Sequence, residues 1–171
     1  VFGTPLSNEL IDKNLDPITQ LSKILHEDDE INVFNSDINY LEENIKTFKW
    51  MESDEYSKIV SQCNFSLVDD KSDDIDFANY SFPTKLVFSI YNSLPVLYTG
   101  PRDSAVAQFI LKENIGVHAS PADLNDLRLK FESLKTNEKF FKRNCQKCYV
   151  KNFQQEIQVE KLNKVLRAFS V

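Results

Sequence analysis

Short apolar, β-rich runs alternate with amphipathic helical stretches from one end of this sequence to the other, and that alternation constrains its fold more than any other feature. A strand that leaves through a helix and returns parallel to itself forms a βαβ unit, and successive units build a parallel sheet covered on both faces. Six strand candidates stand out: Val1-Phe2, Ile31-Phe34, Ile45-Trp50, Phe65-Val68, Pro95-Tyr98 and Ile115-His118. Most are short apolar runs, as expected of strands buried on both sides. Between them Asp16 is placed to cap a helix that opens on Pro17 and carries Ile18, Leu21, Ile24 and Leu25 on one face. Ser53 is the cap expected for a second helix, Pro83 the first residue of a third, and Asp103 the cap of a fourth. From about residue 121 the pattern is almost wholly helical, with Leu124, Leu127, Phe131 and Leu134 on one face and a further helix from about Glu138. The expected architecture is α/β: a parallel sheet of about six strands, helices on both faces, and a helical C-terminal tail over about 121–171.

A length of 171 residues fits a single domain, 1–171, with a core of its own. Acids outnumber bases by 26 to 20, which argues against a general nucleic-acid binder, because phosphate contacts need clustered Lys and Arg. No stretch reaches the ~18 apolar residues of a membrane span, and Val1 to Leu10 lacks the basic-then-apolar order of a signal peptide; a cytoplasmic location is the expectation. Cys63, Cys145 and Cys148 are odd in number. The last two form a C-x-x-C inside a helical stretch, with no second Cys or His pair to complete a zinc site, so free thiols are expected and no metal.

Only three glycines occur, Gly3, Gly100 and Gly116, so each marks a place where a side chain would not fit. Two of them close strands at the carboxyl end, where open α/β sheets bind ligands. The stretch richest in chemistry is Tyr80-Ser81-Phe82-Pro83-Thr84-Lys85-Leu86, followed by Ser93-Leu94-Pro95-Val96, then Ser104-Ala105-Val106-Ala107, then Asn114-Ile115-Gly116. Pro83 at a helix start would leave the amides of Thr84 and Lys85 pointing out of the N-terminus, with the Lys85 ammonium beside them. That combination suits phosphate.

The run S-F-P-T-K-L, then P-V, then a Gly-containing turn, a helix and N-I-G-V resembles the donor half of GT-B glycosyltransferases. Within them it is most similar to bacterial surface-glycan transferases with P-H-K-L in the same place, such as galactofuranosyltransferases and the glucosyltransferases that extend O-glycans on serine-rich adhesins. The resemblance covers roughly 48–153, and Val1-Phe2-Gly3-Thr4 and Lys13-Asn14-Leu15-Asp16 extend it more thinly. It implies a Rossmann-like sheet that grips a nucleoside diphosphate sugar, UDP-sugar foremost. A separate N-terminal domain would supply the glycan, glycoprotein or lipid-linked acceptor site. The residues it assigns to the donor are Lys85 and Thr84 on the diphosphate, Tyr80 and Ser81 at the entry, Thr4 from the first loop, Asp70 along the cleft, and Ser104 and Ala105 at the next helix start. No catalytic base and no cofactor are implied within this chain.

The sequence departs from the pattern at several positions. Thr84 replaces the motif histidine, Ser93 the usual glycine before the P-V strand, and Thr4 a common arginine; Phe88 stands where many of these enzymes have a ribose-binding glutamate. These departures leave a second class open, a non-catalytic partner of the same fold. A third is a different Rossmann-like ligand binder. Asp74-Ile75-Asp76 is a D-x-D, yet it sits among further aspartates in a polar loop, and the resemblance implies neutralisation by helix dipoles and cations instead of a metal. His26 and His118 are far apart and form no ligand cluster. The Lys139 to Lys151 stretch with Phe140, Phe141 and Tyr149 is compatible with peripheral contact at the inner face of the cell membrane, but a solvated helix face with an aromatic core stripe is the favoured reading. Association into oligomers is left open.

Overall fold

A computed structural model of the chain describes residues 2–3, 16–34, 36, 38, 40–69 and 82–168. Six parallel strands form one sheet: β1 (Phe2–Gly3), β2 (Ile31–Phe34), β3 (Ile45–Phe48), β4 (Ser66–Val68), β5 (Val96–Tyr98) and β6 (Gly116–His118). Their order is β3-β2-β1-β4-β5-β6. The chain thus builds outward from β1 in one direction, then returns to lay β4 against the other side of β1 and builds outward again. Register is direct across the sheet, with Phe2 opposite both Asn32 and Ser66, Leu67 opposite Leu97, and Tyr98 opposite His118.

Helices cover both faces, as the alternation of strand and helix patterns predicts. On one face α1 (Pro17–Ser22) and α5 (Leu124–Thr136) bury Ile18, Leu21, Leu127, Phe131 and Leu134 against Ile31, Val33, Ile45, Leu67 and Leu97. On the other, α3 (Thr84–Tyr91), α4 (Ala105–Glu113) and α6 (Glu138–Asn152) close over Val68, Val96 and Tyr98 with Leu86, Ile90, Val106, Ile110, Cys145 and Cys148. Beside them α2 (Ser53–Val60) joins Phe34, Val60, Cys63 and Leu94 in a smaller cluster edged by Phe48, Tyr56 and Phe88. The two face sets follow strand alternation: Leu67 and Leu97 point one way, Val68 and Tyr98 the other. A final helix, α7 (Gln155–Ala168), buries none of its side chains.

Cysteines take the packed role. Cys145 and Cys148 lie on the inner face of α6, free and buried, and Cys63 is buried in the α2 cluster. Burial pushes the Cys145 thiol up to about 12 and raises the other two as well, so all three are poor nucleophiles.

Helix starts correct the sequence reading in three places. Asp16 caps α1 as expected, its Oδ2 accepting from the Thr19 amide at 3.0 Å. Ser53, however, is the first residue of α2, with Glu52 at the cap and Asp54 and Glu55 in the first turn, where carboxylates offset the positive helix end. Pro83 is the N-cap of α3 in place of its first residue, because its ψ of 135 is extended and not helical. Ser104, not Asp103, caps α4, since its hydroxyl reaches the Ala107 amide at 3.1 Å. The third strand also ends at Phe48, two residues short of Trp50.

Two positions show what backbone geometry demands. A Cβ on Gly116 would lie 2.0 Å from the carbonyl oxygen of Val96, so β5 and β6 pair this closely only because residue 116 has no side chain. Ser93 and Asn114 both have positive φ, 57 and 51 degrees. Asparagine tolerates this region and closes α4 there. Serine gains nothing from it, and L-residues pay ~1 to 2 kcal/mol for left-handed geometry. Replacing Ser93 by glycine relieves that strain but adds chain entropy to the unfolded state, ~0.4 to 1 kcal/mol. Ser93→Gly is therefore expected to stabilise the protein by about 0.5 to 1 kcal/mol, raising Tm by about 2 °C in a thermal melt; a lower Tm would show that the serine side chain holds the turn.

Candidate functional site

In an open parallel sheet the chain leaves adjacent strands in opposite directions where the strand order reverses, and the crevice beyond the carboxyl ends is where ligands bind. Here that point lies between β1 and β4. Three features converge on it: the start of α1 at Asp16, the end of β4 at Asp69, and the start of α3 at Pro83 and Thr84.

The first turn of α3 carries two of the residues singled out in the sequence. Pro83, as N-cap, offers no side-chain acceptor to the amides that follow. Thr84 is exposed in the first helical position and Lys85 is half-buried in the second. Lys85 Nζ donates to the carbonyl oxygen of Asp69 at 2.7 Å, which ties the helix start to the end of β4. Asp69 in turn accepts at Oδ1 from Thr99 Oγ1 at 3.1 Å, and the Thr99 amide donates to the Val68 carbonyl. One turn into α3 the Ser89 hydroxyl donates to the Lys85 carbonyl at 2.7 Å, so the Ser66 hydroxyl, 2.6 Å from Ser89 Oγ, donates to Ser89. A buried hydroxyl pair thus pins α3 to β4 directly beneath the site.

Ser104 and Ala105 begin the next helix along. Ser104 is buried, and its hydroxyl both caps Ala107 and lies 2.9 Å from the Tyr98 hydroxyl. Ala105 is half-buried in the first turn of α4. His118, on β6, has Nε2 2.9 Å from the Gly100 carbonyl, which places the proton on that nitrogen, and its role in this contact is structural. Thr4, Asp70, Tyr80 and Ser81 lie outside the described residues, as do Asp74 and Asp76.

A feature that the sequence reading missed sits at the same end of the sheet. Beyond β3 a shallow cavity of about 440 Å³ is lined by Trp50, Met51, Glu52, Ser53 and Tyr56. Trp50 is 75% exposed, unusual for the largest apolar side chain in the chain. Behind Tyr56 the rings of Phe34 and Phe88 pack at 4.8 and 5.1 Å between centroids, and Phe48 stacks on Phe34 at 5.2 Å. Burial pushes the Tyr56 hydroxyl up to about 12. The signal that could have found this wall was Phe34 and Phe48 at the ends of their strands with Tyr56 in the helix that follows, but pairing them needs the β2–β3 register.

Three solved structures share this architecture. The spinosyn forosaminyltransferase SpnP superposes over 97% of this chain and 43% of its own, at 14% identity and a TM-score of 0.62. The glycosyltransferase SnogD from Streptomyces nogalater matches 84% of this chain and 37% of its own, at 12% identity and 0.51. The catalytic domain of the cholesterol-alpha-glucosyltransferase from Helicobacter pylori matches 87% of this chain and 96% of its own, at 15% identity and 0.57. The fold is shared with glycosyltransferases. Against SpnP and SnogD the chain spans well under half the length of the whole protein. No protein-family pattern and no curated protein sequence matches it.

On this geometry Ser104 serves the fold whatever else it does. Ser104→Ala removes the α4 cap, ~1 kcal/mol, and leaves the Tyr98 hydroxyl without this neighbour, so a loss of about 2 to 3 kcal/mol is expected in chemical denaturation. A loss under about 0.5 kcal/mol would mean that the hydroxyl is not committed to the cap.

Proposed function

We propose that this chain is the donor-binding unit of a sugar transferase, taking a nucleoside diphosphate sugar, UDP-sugar first, with its diphosphate at the start of α3. The observation that carries the reading is the arrangement at the β1/β4 crossover: a helix N-terminus with no capping side chain, a lysine in its first turn, and the carboxyl edge of a parallel sheet facing it. The fold likeness to glycosyltransferases agrees with it.

In the proposed complex the amides of Thr84 and Lys85 face the diphosphate, and the Lys85 ammonium exchanges the Asp69 carbonyl for a phosphate oxygen. As the glycosidic bond breaks, charge grows on the departing nucleoside diphosphate, and the helix end and Lys85 stabilise it without rearrangement. Tyr80, Ser81, Thr4 and Asp70 complete the crevice in this reading, with Ser104 and Ala105 behind it. The nucleobase lies toward the Trp50 and Tyr56 cavity, whose exposed ring offers a stacking surface. The acceptor and the base that activates it come from a second domain.

Calorimetric titration of the chain with UDP tests this reading. Saturable binding is expected, weakened about tenfold or more in Lys85→Ala, since a charge-assisted hydrogen bond contributes ~1.5 to 3 kcal/mol. Trp50 is the sole tryptophan, so its fluorescence should change on the same titration curve. Absence of binding to UDP and to every other nucleoside diphosphate would sink the reading.

The second reading, a non-catalytic partner of the same fold, draws on Phe88. It is packed against Tyr56 in the aromatic cluster, so the position where many related enzymes hold a polar ribose contact is filled by core packing. That reading predicts a chain that associates with a transferase and binds no nucleotide.

The helical tail bears on location. Among the described residues no helix is long and apolar enough to cross a membrane. Yet α6 and α7 expose Lys139, Arg143, Lys147, Lys161 and Lys164 together with Phe140, Val150, Val159 and Leu162. Peripheral contact with an anionic membrane is the partner we attach to that surface. Co-sedimentation with phosphatidylglycerol vesicles, lost at high salt, is the expected result; equal behaviour with neutral vesicles would refute the electrostatic contact.

A further inference from the structure

One polar atom near the crossover is unexplained by the packing around it. Tyr40 lies in the connection between β2 and β3, and its ring packs against the core cluster that includes Ile18, Leu21 and Ile31. Its hydroxyl oxygen is buried and has no hydrogen-bond partner among the described residues. A buried hydroxyl left unpaired is costly, and folded proteins keep few of them.

The surroundings of that oxygen say what kind of partner would suit it. Burial comes first in raising the Tyr40 hydroxyl above the usual phenol range, and among the described residues the charges acting on it are carboxylates: Asp16 at the start of α1, Glu42, and Asp69 at the end of β4. Asp16 opens the helix that follows β1, and Asp69 follows β4, the strand beside β1, so the hydroxyl that both act on lies near the β1/β4 crossover. A negative field there disfavours a phosphate oxygen. It favours a neutral group that accepts from the phenol and can itself donate to a carboxylate, and the hydroxyls of a sugar ring do both. The phosphates are drawn instead to Lys85 and the α3 amides, whose charge is of the opposite sign.

We propose that Tyr40 is a binding residue of the donor crevice whose hydroxyl donates to a hydroxyl of the bound sugar nucleotide, on its ribose or on its transferred sugar. This rests on the donor-binding reading above, and it divides the crevice into a phosphate end at Lys85 and a polyol end at Tyr40. The ring, held by the apolar core, places the hydroxyl before the ligand arrives, and the ligand supplies the partner that the fold omits.

The test is Tyr40→Phe, measured by calorimetry with UDP and with UDP-glucose and by thermal melting without ligand. Phenylalanine keeps the packing and removes only the oxygen. The free protein should melt at the same temperature or a higher one, because an unpaired buried hydroxyl has been removed. Affinity should fall about tenfold, the scale of one lost hydrogen bond. An equal fall for UDP and UDP-glucose places the contact on the ribose, and a fall for UDP-glucose alone places it on the transferred sugar. Unchanged affinity for both overturns the assignment of Tyr40 while leaving the donor site standing. A lower Tm without ligand overturns it too, since it shows that the hydroxyl is bonded within the fold. If the native chain binds neither ligand, the donor-site reading fails and this proposal with it.

Discussion

The pairing of β1 with β4, Phe2 beside Ser66, is the contact on which the remaining architecture depends. It joins the half built from β1, β2 and β3 to the half built from β4, β5 and β6, and among the described strands it is where successive connections diverge. Ser66 is buried there, and its hydroxyl is satisfied by Ser89 of α3. A polar residue in a fully buried strand is costly unless paired, and pairing Ser66, the first residue of β4, with α3 fixes the height of that helix against the sheet. The start of α3 is thereby set against the end of β4, and the Lys85 to Asp69 bond completes the same clamp from above.

The electrostatics of the crevice are mixed, and the mixture has a spatial order. Carboxylates come from α1 and β4, while the positive helix end and Lys85 come from α3. A diphosphate carries its charge at one end of a sugar nucleotide, and the remainder is neutral and rich in hydroxyls. Such a ligand is matched by a crevice with one positive wall and one acceptor-rich wall better than by a uniformly basic one. The chain's acidic balance therefore does not conflict with phosphate binding, because the amides of a helix N-terminus act over the first turn and are insensitive to distant surface charge.

Much of this was legible in the sequence, and the reason is locality. Strand and helix identity follow from periodicity within a few residues, so β2, β4, β5 and β6 fall where the apolar runs place them, and Asp16 with Pro17 announces α1. Helix caps were misplaced where two adjacent residues could serve, as at Asp103 and Ser104, where it is the Ser104 hydroxyl that lies beside Tyr98 of the preceding strand and reaches the Ala107 amide. Ser93 is harder still: nothing in a serine announces a φ of 57 degrees, and the conformation is imposed by the tight passage from α3 into β5. The Trp50 cavity and the unpaired Tyr40 hydroxyl were invisible for a different reason. The cavity itself is lined by the contiguous stretch 50–56, but the rings behind it, Phe34, Phe48 and Phe88, and the carboxylates around Tyr40 come from elements distant in the chain, and no local pattern encodes their meeting.

The helix proposed to bind the phosphate end is also the one that reaches the aromatic wall. Along α3, Thr84 and Lys85 stand at the crevice, Leu86 and Ile90 bury into the sheet, Ser89 bonds Ser66, and Phe88 packs on Tyr56, which lines the Trp50 cavity. These are different faces of two turns of one rigid element. A shift of α3 toward a bound diphosphate would have to carry Phe88 with it and so move Tyr56 and the wall beside Trp50. Packed aromatic rings resist small displacements, so the two ends of the crevice are mechanically coupled through a helix that the Ser66 and Ser89 hydroxyls hold in register. The apolar residue at position 88 is then a packed spacer between the start of α3 and the aromatic wall, a role that a flexible charged side chain would not fill.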